Sequence, residues 1–242
     1  MKRKILMGSI ALCGALAVVG SGFASWYFDK TIDDVSKNVS THVTDLADGI
    51  GSLTDNNASD TLYIVLDQGT YANKTDATKG ISLVSSSTSL SDTNAGTAVN
   101  SLGVTYSIEK AQYQKLADAG IYGGKITATI SISDTSDDYI KFVNSPSAKV
   151  GETKVAATSA TATQVVFEYT VNWSSATEDT FSQVLSIDTT SSDYANALLQ
   201  YVSKPADKNA YDTMKAAVAS DTKALSVVYT FAIDTTVEKS NN

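Results

Sequence analysis

Alternation of apolar and polar residues with a period of two dominates the chain. In "KITATISISD" (125–134), Ile126, Ala128, Ile130 and Ile132 fall on one side and Thr127, Thr129, Ser131 and Ser133 on the other. That spacing predicts a strand with one buried and one wet face. "TQVVFEYTVNW" (163–173) sets Val165, Phe167, Tyr169, Val171 and Trp173 against Val166, Glu168, Thr170 and Asn172. "GVTYSIE" (103–109) and "ALSVVYTFAID" (224–234) alternate in the same way, and "TLYIVLD" (61–67) is a compact apolar strand. Strands of this kind bury one face each by pressing two sheets together. The expected fold is mainly β, a single jelly-roll-like antiparallel β-sandwich.

Two or three short crossover helices are expected beside it. "EKAQYQKLADAG" (109–120) spaces Ala111, Leu116 and Ala119 for an inward stripe and ends on Gly120, a fitting C-terminal cap. "SDYANALLQYV" (192–202) places Tyr194, Ala197, Leu198 and Tyr201 on one side. "NAYDTMKAAVASD" (209–221) offers Asn209 as a cap, with Met214, Ala217 and Val218 inward. The Ser-rich stretch 82–101 reads as a long mobile loop. Between 31 and 53, Ile32, Val35, Val39, Val43, Leu46 and Ile50 step by three and four as in a helix. "NVSTHVTD" is β-branched and a poor helix former, so 38–45 is read as extended.

The pattern breaks at the start of the chain. Lys2, Arg3 and Lys4 precede an apolar and small-residue run that ends at Gly22 and Ala24. This predicts an N-terminal signal helix with cleavage between Ala24 and Ser25. About twenty such residues would also just span a bilayer, so an uncleaved anchor is the alternative, and the only membrane contact expected. Positive charge stays in the cytoplasm in either case and the body lies outside. Cys13 follows the bulky Leu12 and is read as part of the apolar run, not as a lipidation site. The chain then divides into a leader (1–24), an extended N-terminal segment (25–53), a sandwich domain (54–236) and a polar tail (237–242).

Composition narrows the function classes. Cys13 is the only cysteine, so a chain cut after Ala24 has no disulfide, thiol nucleophile or Cys-based zinc site. A formal charge of −8, more negative without the leader, opposes nucleic acid and anionic lipid as partners. Ser and Thr make up about a quarter of the residues, a bias towards turns and strands. Only Pro146 and Pro205 are prolines, which argues against a Pro-rich stalk.

Catalytic signals are weak. His42 is the only histidine, and no G-x-S-x-G element accompanies it. The acidic clusters at 33–35 and at Asp134, Asp137 and Asp138 lack the spacing of a calcium loop and read as solvated turns. Trp173 reads as a core or rim residue. Asn38, Asn57, Asn73 and Asn172 begin glycosylation sequons of the kind a Ser/Thr-rich chain contains by chance. No enzyme activity and no cofactor are expected.

The junction "KRKILMGSIALCGALAVVGSGFASWYFDK" resembles the N-terminus of the TasA/camelysin family of exported Gram-positive proteins. Gly20, Gly22, Ala24, Trp26, Phe28 and Asp29 stand at matching places. The resemblance covers about thirty residues and, more loosely, the last alternating strand. It implies a jelly-roll surface protein and, for some members, extracellular fibres built by strand donation. On that reading Trp26, Phe28, Val39, Thr41 and Val43 lie in the donor segment, and the partner is another copy or another surface protein. An adhesin binding glycan or protein through the 82–101 loop, with Ser85, Asp92 and Asn94 as contacts, is the second reading. A secreted hydrolase with two facing carboxylates is the third.

Overall fold

The computed structural model describes residues 42–43, 51–57, 61–66, 81–88, 90, 95–132, 139–189, 198–203, 208–218 and 225–240. The chain divides into two units, Met1–Val35 and Ser36–Asn242, and every described residue belongs to the second. That unit is mainly β.

One five-stranded sheet runs in the order β1 (His42–Val43), β15 (Leu225–Ile233), β7 (Gly123–Ile132), β12 (Gln164–Asn172) and β11 (Ser159–Ala160). A second runs β10 (Thr153–Ala156), β9 (Ser147–Val150), β13 (Thr180–Asp188), β6 (Ser101–Glu109) and β2 (Ser52–Asp55). A three-stranded sheet, β3 (Thr61–Leu66), β4 (Ile81–Ser86) and β5 (Thr97–Ala98), and a pair, β14 (Leu199–Tyr201) with β8 (Ile140–Phe142), complete the strands. Every pairing is antiparallel except β1 with β15. The two described helices are α1 (Lys110–Asp118) and α2 (Lys208–Val218).

Register explains the layers. On β7, Ile130 pairs with Val165 and Val227, Ala128 with Phe167 and Tyr229, and Ile126 with Tyr169 and Phe231. Those rows form one apolar face, and nearly all of its side chains are buried. The second sheet answers with Leu102, Val104, Tyr106 and Ile108 of β6, opposite Ile187, Leu185, Gln183 and Phe181 of β13. The faces meet where the Tyr106 ring stacks on Phe231, with centroids 4.4 Å apart and planes 6° from parallel. Trp173 and Phe181 pack around the same ring. A second tie crosses the layer: the Tyr169 phenol donates to Gln183 Oε1 at 3.2 Å. In chain order β6, β7, β9, β12, β13 and β15 alternate between the two sheets, while the short β10 and β11 pair with β9 and β12. The alternation of the sequence therefore reports two facing sheets.

The predicted strands at 61–67, 103–109, 125–134, 163–173 and 224–234 are all present, within two residues at each end. Helix α1 ends as expected: Gly120 takes a positive φ of 81° and its N–H bonds to the Ala117 carbonyl. Its inward residue differs from the predicted stripe. Tyr113 is buried, with its hydroxyl donating to the Glu178 carbonyl at 2.6 Å, whereas Ala111 and Ala119 are exposed. Helix α2 begins at Lys208, which puts Asn209 inside the helix and not at its cap; among its described side chains Tyr211 and Met214 are buried, and those of Ala217 and Val218 lie outside the description.

Two expectations are overturned. The predicted helix at 192–202 does not hold at its end, where Leu199–Tyr201 is a strand paired with β8. Leu199 and Tyr201 are buried with Gln200 between them, so strand pairing overrides helix propensity; residues 192–197 of that stretch lie outside the described residues. The stretch 82–101 is not one loop. Residues 82–86 belong to β4 and 97–98 to β5, because Leu83, Val84 and Ser86 have a buried place against β3 that serine content conceals.

Candidate assembly edge

Strand β15 carries β7 along one side for its whole length. Along its other side, among the described residues, only β1 pairs with it: His42 with Val228 and Val43 with Tyr229, in parallel. Nine residues of strand therefore receive two residues of partner. Backbone N–H and C=O groups on such an edge are directed outward and invite another extended chain. The inner face of β15 is already apolar: Leu225, Val227 and Tyr229 are buried and Phe231 is half-buried. β2, which ends the second sheet beside β15, is four residues long.

Polar atoms collect at this end of the sandwich. Asp55, at the end of β2, accepts the Asn57 N–H at 2.8 Å through Oδ1, while its buried Oδ2 has no partner. The hydroxyls of Tyr229 and Tyr106, both residues 0% exposed, have none either. Burial pushes the Tyr106 phenol pKa far above its ordinary value. Burial does the same for Tyr229, and the nearby Asp55 carboxylate adds to it. Both phenols are neutral throughout the physiological range.

The expected site residues distribute as follows. Val43 lies in β1 and pairs with Tyr229, the one donor-segment residue that falls within the described chain. Ala24, Ser25, Trp26, Phe28, Val39 and Thr41 lie outside the described residues, as do Asp92 and Asn94. Ser85 is not a loop residue: it sits half-buried in β4, paired with Leu62 and Thr97, so it cannot head a binding loop. His42 lies in β1. Asp134, Asp137, Asp138 and the 33–35 cluster are outside the described residues. Among the described residues no group of three His, Cys, Asp or Glu is placed to hold a metal ion.

Two sequon asparagines have structural duties. Asn57 Nδ2 donates to the Ser101 carbonyl at 2.6 Å and its Oδ1 accepts the Gly103 N–H at 2.8 Å, tying the turn after β2 to β6. Asn172 Nδ2 donates to the Glu238 carbonyl at 3.3 Å, and Ser240 N–H donates to Ser174 Oγ. The residues after β15 thus fold back on the end of β12. Trp173 is buried, with its indole N–H on the Ile121 carbonyl at 3.1 Å, as a core residue should be.

Sequence reasoning missed Asp55 and the state of the two tyrosines. Their inward parity was visible in "GVTYSIE" and "LSVVYTFAID", but an unpartnered hydroxyl is a property of the packed layer. No described helix is long and apolar enough to cross a membrane. These features define a β-rich protein of two facing sheets, in the first of which both nine-residue outer strands, β15 and β12, pair on their far sides with only two residues among the described residues. Compared with protein-family profiles, with characterised proteins and with solved structures, the chain finds no match.

Proposed function

We propose that this protein is an exported structural component of the cell surface or extracellular matrix whose copies join by strand donation. In this reading a jelly-roll-like sandwich is secreted behind a cleaved leader. The extended segment of one copy, within residues 25–45, lies along the outer edge of β15 in the next. The carrying observation is the two-residue, parallel seat of β1 on a nine-residue strand. It supports that edge as a seat for N-terminal chain, and among the described residues nothing else pairs with it. Strand addition supplies affinity through main-chain hydrogen bonds and specificity through alternate side chains. Export rests on the resemblance of the first thirty or so residues to the TasA/camelysin leader.

N-terminal sequencing of the extracellular form, with negative-stain imaging of the same sample, tests the reading. It expects a start at Ser25 and filaments or chains of subunits. Deleting residues 25–45 from the exported form should then abolish assembly while leaving a folded monomer. Unchanged filament yield after that deletion refutes strand donation.

A further inference from the structure

The two outer strands of the first sheet differ in what surrounds their far sides. Val166 and Gln164 of β12 turn their carbonyls that way, where the Thr158 and Thr161 N–H groups donate to them at 2.8 and 2.7 Å. Main-chain groups of an antiparallel strand point to one side at every second residue. Those of Glu168, Thr170 and Asn172 therefore point the same way. On β15 the Asp234 N–H donates to the Gly123 carbonyl of β7 at 3.1 Å. The same alternation directs the groups of Val227, Tyr229, Phe231 and Ile233 away from β7.

Both ends of the β12 edge are covered. At one end the chain passes from the second sheet to the first. β10 pairs with β9, the Ala157 N–H donates to the Pro146 carbonyl at 3.3 Å, and β11 pairs with Val165 and Val166. At the other end the C-terminal tail crosses the sheet. Val237 packs where a side chain on Gly123 would stand, Asn172 Nδ2 donates to the Glu238 carbonyl, and the Ser240 N–H donates to Ser174 Oγ. Between the two covers lie Glu168 and Thr170, with no main-chain partner on that side among the described residues. The Glu168 carboxylate is paired there with Lys125 Nζ of β7 at 3.7 Å. Charged side chains on an edge strand discourage further pairing. β15 has no charged residue from Leu225 to Ile233.

We propose that β12 is a guarded edge, so that each copy offers one seat, β15, to the strand of a second copy. The guards are the 157–161 crossing, the Glu168–Lys125 pair and the tail from Val237 to Ser240. The inference rests on the strand-donation reading and adds the direction of growth. One acceptor edge per copy gives a head-to-tail contact that extends in a line. A second open edge would let filaments join side by side.

The test uses the full exported chain, with exchange of individual amides followed in monomer and assembly and filaments imaged by negative stain. In the wild type the Glu168 and Thr170 amides should exchange rapidly in both states, while those of Phe231 and Ile233 become protected on assembly. Deleting residues 238–242 together with Glu168→Thr removes two guards. It keeps the Val237 seat and the turn that Asp234 makes with Thr236. This variant should hold its urea midpoint, since an exposed ion pair adds little. It should form bundled filaments in which the amides at 168 and 170 are protected. Thr230→Lys puts a charge on the open edge at an exposed position. It should raise the critical concentration about tenfold with the urea midpoint unmoved.

Protected Glu168 and Thr170 amides in wild-type assemblies overturn the guarded edge. Unbundled filaments from the folded double variant, or unchanged assembly of Thr230→Lys, overturn it equally. Protection of Phe231 and Ile233 in the same samples leaves strand donation standing. Should the double variant unfold, the wild-type exchange pattern and Thr230→Lys decide by themselves. If the wild-type chain never assembles, strand donation falls. The guard then stands when the double variant associates with 168 and 170 protected, and falls when it does not.

Discussion

Replacing Gly124 by alanine tests the ring contact that joins the two sheets. Gly124 is the second residue of β7, opposite Val171 and Ile233, and its missing side chain leaves room for a ring. A Cβ there would stand 2.2 Å from Phe231 Cζ, 2.7 Å from Phe231 Cε2 and 2.7 Å from the Ala232 carbonyl oxygen. The ring must leave, and Phe231 is the ring on which Tyr106 stacks at 4.4 Å. Loss of the stacked pair costs about 0.5–1.5 kcal/mol beyond area. Forcing an extra carbon into a packed layer costs about 1–3 kcal/mol. Against these, alanine stiffens the unfolded chain and returns about 0.4–1 kcal/mol. The net expectation is a loss of about 2 kcal/mol, read as a lower urea midpoint with an unchanged slope.

The partner variant Phe231→Leu makes the test specific. Once the ring is gone, Gly124→Ala should cost clearly less than it does in the wild type, because the worst clash has been removed. The rescue is partial, since the Ala232 carbonyl remains in place. A neutral or stabilising Gly124→Ala would refute the reasoning, as would costs that simply add in the double variant.

Further outcomes follow from the same geometry. Tyr169→Phe removes the polar tie between the β12 and β13 inner faces and leaves Gln183 without its donor; its urea midpoint should fall by an amount equivalent to about 1 kcal/mol. Stability should decline at alkaline pH. Tyr106 and Tyr229 have folded-state pKa values raised by burial, so their contribution is full below the ordinary phenol value of about 10 and is lost as pH rises above it. Urea midpoints measured from about pH 8 to about pH 11 should fall over the upper part of that range, and Tyr229→Phe should flatten the fall. A wild-type midpoint that is flat across it contradicts neutral buried phenols.

The strands that built the sandwich were legible where one face was uniformly apolar. Ile126, Ala128 and Ile130 announce β7 because each pairs with an inward residue of β12 and of β15, and Ile132 continues the series against Leu225. β13 was concealed for a physical reason. Gln183 occupies an inward position, satisfied by Tyr169, and Val184 points outward at 42% exposure, so the usual contrast is inverted mid-strand. β4 was concealed by its serines, of which Ser86 is buried. β14 has helix-like composition and becomes a strand because β8 stands ready to pair with it. The edge was partly legible: the extended reading of 38–45 is met at His42–Val43, while its partner β15 lies nearly two hundred residues away and depends on topology. Asp55 could not be singled out, since its role comes from strands that no local pattern connects.

Hydrogen exchange along β15, compared between the monomer and the assembled form, is the most direct probe of strand donation. The account predicts that the β15 amides directed away from β7, above all within Thr230–Ile233, exchange rapidly in the monomer and become protected on assembly. Protection unchanged there, in a sample that has demonstrably assembled, would mean that copies meet somewhere else.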